Sequence, residues 1–316
     1  MLRSAIVAAA RNPGLARVVS SAPLSRAMVR RFVGGPDSQS AVGAASSLVE
    51  HGLLVSLDHL GEDTTDARTA ASAADAYVRL LETLDQAGLT ERLGPLTPRA
   101  EVSVKLSALG QALPADGDAI ALENVRRICA AAGSAGAAVT LDMEDHTTTD
   151  ATLATVAELR PDFPDVGAVL QAQLRRTEAD CADLAGPGSR VRLCKGAYDE
   201  PAAVAFRERT EVDLSYVRCM NVLLAGGGYP MWATHDPRLV EIARVRASAL
   251  GRSRAGYEFQ MLYGVRPDEQ RRLAVTGHTV RIYVPFGQQW YGYLVRRLAE
   301  RPANMAFFLR SLVTKG

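Results

Sequence analysis

From about residue 50 onward the chain repeats one pattern. Four to six apolar or β-branched positions are followed by a polar residue or turn, and then by a stretch with apolar residues at helical spacing. Eight of the short runs read as strands. They are LLVSLD from Leu53, EVSVKL from Glu101, AVTLDM from Ala138, GAVLQA from Gly167, RVRLCK from Arg190, YPMWAT from Tyr229, GYEFQM from Gly256 and TVRIYV from Thr279. Their starts lie 48, 37, 29, 23, 39, 27 and 23 residues apart, the range of strand–helix units with a few insertions. Helical periodicity fills the gaps, for example over 119–131, 202–224 and 237–250. The pattern predicts the α/β class and a (β/α)8, TIM-like barrel. A doubly wound open sheet is the alternative, but the first run ends in SLDHLGED with no glycine-rich dinucleotide fingerprint behind it.

Residues 1–36 contain six arginines and no acid, and a Gly-Gly-Pro-Asp stretch at 34–37 marks a boundary. Two readings fit this start: an organellar transit peptide, or a basic amphipathic helical arm lying on the protein body or on an anionic membrane surface. The second is preferred, because the whole chain is poor in lysine and so the arm's lack of lysine needs no targeting signal. The expected organisation is a helical arm over 1–45 and a barrel over 46–316.

In such a barrel the carboxyl ends of the strands carry the active site. Here they are polar throughout: Asp58 and His59 on strand one, Lys105 on two, and Asp142, Glu144 and Asp145 on three. Gln171 ends four, Arg192 and Lys195 end five, Thr234 and His235 six, Gln260 seven, and Arg281 with Tyr283 eight. One polar strand end is routine capping; eight of eight ask for a ligand with many polar groups.

Composition sharpens this picture. Of 36 basic residues 33 are arginine, so Lys105, Lys195 and Lys315 stand out as places where a guanidinium will not serve. A barrel lysine can form a Schiff base, as in an aldolase-type barrel using Lys105 or Lys195, or stay protonated and hold an anion. The acids around it, Asp142 and Glu144, favour the charged form. Scattered histidines without HxH or HExxH spacing argue against a metal. The last helix places Tyr293, Arg296, Arg297 and Glu300 on one face, and it comes directly off the eighth strand, so it can lie across the barrel mouth with two guanidiniums pointing inward. Arginine pairs occur five times in the chain, so it is the position that matters here. The 36 basic against 35 acidic residues give no field for nucleic acid. No apolar run reaches 18 residues, and four cysteines at spacings of 52, 13 and 25 form neither a disulfide framework nor a zinc set. A cytoplasmic setting is expected, with peripheral contact at the inner face of the cell membrane left open.

Several separated motifs then carry a resemblance: SVKLSALG at 103–110, LDMED at 141–145, QAQ at 171–173, RLCKGAY at 192–198, ATHD at 233–236, YEFQMLYG at 257–264, and RIYVPFG followed by YLVRRLAER. Together, in this order, they resemble the flavin-dependent proline dehydrogenases, over about residues 50–310. The resemblance implies a barrel that binds FAD non-covalently, oxidises L-proline to 1-pyrroline-5-carboxylate and passes electrons to a membrane quinone, in the monofunctional bacterial form. It implies that Asp142 and Arg192 are catalytic and that Lys105, Arg296 and Arg297 hold the substrate carboxylate. Tyr283 and Leu262 would wall the proline ring, with Tyr293 and Glu300 around the pocket. Met143, Gln171, Arg192, Lys195, Gly196, Ala197, Tyr198, Thr234 and His235 would contact FAD. Gln288, where relatives commonly have threonine, and Asp199 depart from the family pattern. A Schiff-base aldolase and a non-catalytic binding barrel remain as alternatives, and both would be colourless.

Overall fold

The computed structural model describes residues 29–293. The basic arm before residue 29 and the expected site residues Arg296, Arg297 and Glu300 lie outside the described residues. Eight strands close a parallel barrel: β1 (Leu54–His59), β2 (Ala100–Val104), β3 (Ala138–Leu141), β4 (Gly167–Gln171), β5 (Arg190–Cys194), β6 (Tyr229–Ala233), β7 (Glu258–Leu262) and β8 (Val280–Phe286), with β8 beside β1. Every observed start lies within two residues of the expected one, and the closed sheet replaces the open-sheet alternative.

Helix α1 (Ser38–Glu50) precedes β1 and spans the boundary expected at residue 45. Asp37 caps it by accepting from the Ser40 amide, and its buried Ala41, Val42 and Ala45 face the barrel. After the first seven strands come α2 (Ala67–Gln86), α3 (Gly117–Ala135), α4 (Thr149–Leu159), α5 (Thr177–Leu184), α6 (Arg209–Ala225), α7 (Pro237–Ala249) and α8 (Pro267–Val275). Along α2 the buried positions Ala70, Ala74, Tyr77, Leu80, Leu81 and Leu84 recur at helical spacing and cover the sheet. Among the described residues no helix is long and apolar enough to cross a membrane.

The helix expected over 202–224 begins only at Arg209. Its apolar start, 202–206, is instead pinned to the loop after β4. The Arg175 amide donates to the Val204 carbonyl at 2.9 Å and the Phe206 amide to the Gln173 carbonyl at 2.8 Å. Those bonds, with Ala205 buried, satisfy the segment's backbone without a helix.

Alternation along the strands decides what fills the barrel. Val55 and Leu57, Val102 and Val104, Val191 and Leu193, and Ile282 and Val284 pack outward in the apolar clusters under the helices. The intervening residues Ser56 and Asp58, Glu101 and Ser103, Arg190 and Arg192, and Arg281 and Tyr283 therefore point inward. Most barrels fill this space with branched aliphatics. Here its floor is charged.

That floor corrects one expectation. Arg281 is the second residue of β8, not its end, and lies two residues deeper than Tyr283, about 6–7 Å along the strand. It is fully buried and donates to both carboxylate oxygens of Glu258 at 2.7 and 3.0 Å. It also reaches the Pro98 carbonyl at 2.9 Å, in the short antiparallel ribbon of Arg92–Gly94 and Thr97–Pro98. Arg190 likewise donates to Leu96 O at 3.2 Å, so the ribbon closes the amino-terminal end of the barrel.

Candidate active site

The carboxyl ends of the strands open into a cavity of about 1160 Å3. All the described residues to which the family resemblance gives a role line it: Lys105, Asp142, Met143, Gln171, Arg192, Lys195, Gly196, Ala197, Tyr198, Thr234, His235, Leu262, Tyr283 and Tyr293. They come from seven strands and the segment after β8, and closure of the barrel brings them together. Of the other polar strand ends, Asp58 and Gln260 line the cavity, and His59, Glu144, Asp145 and Arg281 do not.

At the bottom of the cavity Arg192, 4% exposed, is the hub. Its Nη1 donates to Asp142 Oδ1 and to Ser103 Oγ, both at 2.7 Å. Nη2 reaches Glu101 at 2.6 Å and Ser56 Oγ at 3.1 Å, and Nε reaches Gln260 at 2.5 Å. These partners sit on β1, β2, β7 and just beyond β3, so the guanidinium crosses the barrel interior. Asp142 is shared further: Ser103 Oγ donates to Oδ1 at 2.8 Å and the Tyr283 hydroxyl to Oδ2 at 2.7 Å. The Arg192 guanidinium also stands 5.4 Å from the centre of the Tyr283 ring. Burial, reinforced by the negative charge of Asp142, pushes the Tyr283 phenol well above its ordinary range. It is a fixed hydrogen-bond donor at any neutral pH.

Lys105 caps the end of β2 and places its ammonium 2.9 Å from both oxygens of Asp58 and 4.0 Å from Asp142. Burial alone would lower its pKa; the charge of Asp58, then of Asp142, reverses that and raises it. A Schiff-base lysine has to shed its proton. Lys105 is held in the opposite state, so the structure disfavours the aldolase alternative there. Lys195 is also tied up, between Asp213 at 2.5 Å and Asp236 at 3.0 Å.

The upper walls are set by shorter-range contacts. Gln171 donates to the Glu144 carbonyl at 2.7 Å. The Glu144 carboxylate lies behind the cavity, accepting from Ser107 Oγ at 2.7 Å, and burial raises its pKa despite that bond. His235 Nε2 accepts the Leu262 amide at 2.9 Å, which assigns its proton to Nδ1. Gly196 adopts φ +104, and a Cβ there would meet the Gln173 side chain at 2.3 Å, so the turn after β5 requires glycine. His59 packs instead on the rings of Tyr77 and Phe286, and His146 pairs with Glu200. Among the described residues no three His, Cys, Asp or Glu side chains converge as a metal set.

Sequence reasoning missed two parts of the site. Ser56, Ser103 and Glu101 hold Arg192 from below, and nothing but the inward phase of β1 and β2 would have disclosed them. At the opposite end of the cavity Arg209, Thr210, Arg238 and Arg266 line the wall, together with Asp213 and Asp236, which pair with Arg238 at 2.8 and 2.7 Å. Arg209 and Thr210 open α6, while Arg238 stands in the first turn of α7. The start of α6, whose N-cap Glu208 makes no side-chain cap bond, offers amide N–H groups to an anion, whereas α7 opens on Pro237 and its Arg238 amide is taken by Asp236 at 3.1 Å.

A family model described as proline dehydrogenase matches residues 41–310. The chain belongs to the proline dehydrogenase family. It is 37% identical to a proline dehydrogenase of Deinococcus radiodurans over 99% of this chain and 98% of that one. It is also 34% identical to proline dehydrogenase 1 of Bacillus subtilis strain 168, over the full length of both. Among solved structures, proline utilization A from Bdellovibrio bacteriovorus, inactivated by N-propargylglycine, superposes with a TM-score of 0.79 at 26% identity. The match covers 94% of this family member and 36% of that chain, so this chain spans about a third of the larger protein.

Proposed function

We propose that this chain is a proline dehydrogenase that oxidises L-proline to 1-pyrroline-5-carboxylate, with FAD held in the barrel mouth and electrons passed to a membrane quinone. The observation that carries this reading is the two-ended cavity. About 1160 Å3 exceeds what one small amino acid fills, and the two ends differ in chemistry. Lys105, Asp142, Arg192 and Tyr283 gather at one end and the arginine-lined helix starts at the other. An elongated group with an anionic linker fits such a space.

In this reading Met143, Gln171, Lys195, Gly196, Ala197, Tyr198, Thr234 and His235 hold the flavin, and the start of α6, with Arg209 and Thr210, receives its pyrophosphate. The flavin, when bound, supplies the hydride acceptor. Lys105, kept charged by Asp58, together with Arg296 and Arg297 grips the substrate carboxylate. A guanidinium suits this because it can bind a carboxylate through two parallel hydrogen bonds. Tyr283 and Leu262, with Tyr293 beside them, wall the ring and exclude water from the carbon that loses hydride. Glu300 fixes the arginine fork. Asp142 and Arg192 are the catalytic pair in this assignment, with Asp142 orienting the guanidinium toward the reacting edge. The barrel over 46–316 is the catalytic unit. The acid-free basic segment over 1–36 gives peripheral contact with the inner face of the membrane, where the quinone resides.

Purified protein should be yellow, and L-proline added without oxygen should bleach its visible absorption. A protein that stays colourless and inert to proline after reconstitution with FAD would falsify the assignment.

The bleaching rate should rise as pH goes from about 6 to 8.5, because the substrate amine must lose its proton before the adjacent carbon can release hydride. Lys105 and Tyr283 are both shifted upward, so neither titrates in that window. Stopped-flow reduction checks this, and a flat profile would count against hydride loss from a neutral amine.

A further inference from the structure

Glu200 is a buried carboxylate that the proposed reaction does not use, 4% exposed on the loop that follows β5. It accepts two hydrogen bonds from one residue: the His146 backbone amide at 3.0 Å and, at 2.5 Å, the His146 ring nitrogen Nδ1. His146 opens the short turn after β3, three residues beyond the cavity-lining Met143. Tyr198, which ends the cavity-lining run Gly196–Tyr198, lies two residues before Glu200. The pair therefore joins two walls of the cavity that come from different strands, with β4 between them.

The rest of the loop shows why this joint matters. Its two ends are fastened to the loop after β4 by backbone bonds, Gln173 N to Lys195 O at 2.8 Å and Phe206 N to Gln173 O at 2.8 Å. Its first turn is packed against the Gln173 side chain, whose amide also reaches the Tyr198 carbonyl at 3.3 Å. All of these contacts pull toward β4. The contact between Glu200 and His146 runs the other way and ties the middle of the loop across to the turn after β3. Arg207, the nearest cation on the loop itself, bonds the Glu200 backbone carbonyl and the Asp199 carboxylate, and leaves the Glu200 carboxylate to His146.

We propose that His146 and Glu200 form a positioning latch for the flavin, fixing the separation between Met143 and Gly196–Tyr198 and so the fit of the cofactor cavity. The inference rests on the flavin-binding reading above. The latch touches neither substrate nor reacting atoms; it acts through the two walls it joins.

Flavin affinity and thermal stability, measured on the full chain with and without FAD, test it. Glu200→Ala removes both bonds, each accepted by a carboxylate oxygen, and should weaken FAD binding by about tenfold or more. Glu200→Gln keeps an oxygen for the His146 amide and an N–H for the ring, and should stay within about threefold of wild type. His146→Leu keeps the backbone bond and should fall between the two. A bound ligand adds stability in proportion to its affinity, so the melting temperature of the FAD-loaded Ala variant should drop more than that of its flavin-free form. Equal drops in the two forms, with unchanged FAD affinity, would show that the pair only supports the fold and would overturn the latch. Wild-type protein that takes up no FAD would overturn the flavin reading itself, which separates the two failures.

Discussion

Replacing Asp142 with alanine should lower kcat/KM for proline about a hundred- to a thousandfold while leaving bound flavin in place. Asp142 is the common acceptor of Arg192, Ser103 and Tyr283, so its loss frees three donors at once at the floor of the cavity. Hydrogen bonds to charged groups contribute roughly 1.5–3 kcal/mol each. Losing the aim of Arg192 and Tyr283 together comes to about 3–4 kcal/mol, and 1.4 kcal/mol is a factor of ten. The Asp142→Asn variant separates shape from charge. It keeps an acceptor for Arg192 but removes the negative charge, and should sit nearer about tenfold. Flavin reduction under single-turnover conditions, normalised to flavin content, is the measurement. Wild-type kinetics in the alanine variant would remove Asp142 and Arg192 from the catalytic assignment.

The barrel was legible in the sequence because each strand is a short apolar run bounded by a turn or a helix, and β3, β4, β5 and β6 begin at the residues expected. The cavity-lining residues were legible for a related reason: a polar residue just after an apolar run marks the strand's carboxyl end. Depth was not legible. Arg281 and Tyr283 share one face of β8, and only closure of the barrel shows that the first faces Glu258 on the floor while the second faces Asp142 below the mouth. Glu101 and Arg190, standing first or second in their strands, read equally well as solvated strand starts. The start of α6 was misplaced because 202–206 has helix-compatible composition, and the pairing that overrides it comes from a loop some thirty residues earlier in the chain. The joint between His146 and Glu200 has no local signature at all, since 54 residues separate its partners.

The largest effect on stability should come from Glu101. Within the barrel, three carboxylates (Glu101, Asp142 and Glu258) face three guanidiniums (Arg190, Arg192 and Arg281), and the set is neutral. Glu101 lies at its centre, 2.5 Å from Arg190, 2.6 Å from Arg192 and 3.9 Å from Arg281. Burial pushes its carboxyl up, yet Arg281, Arg190 and Arg192 together outweigh this and hold it well below the usual carboxylate range. Glu101→Ala should leave one excess buried positive charge and cost about 3–5 kcal/mol, the typical result of removing one partner from a buried pair. Against a total of roughly 5–15 kcal/mol this means a melting temperature lower by about 10 °C or more, or an insoluble product. The double variant Glu101→Ala with Arg190→Met restores neutrality at two against two, and should recover part of the loss. Strict additivity of the two substitutions would argue against a coupled charge set. The pH dependence has a definite sign. A carboxyl depressed in the folded state stabilises it above the ordinary glutamate value of about 4.3, and that contribution is lost as pH falls from there through the depressed value. Wild-type stability should therefore fall more steeply with acidification below about pH 4.3 than that of Glu101→Gln, whose amide does not titrate. Chemical denaturation across that range reads the difference directly, and parallel slopes would mean that Glu101 does not bear the charge the geometry assigns to it.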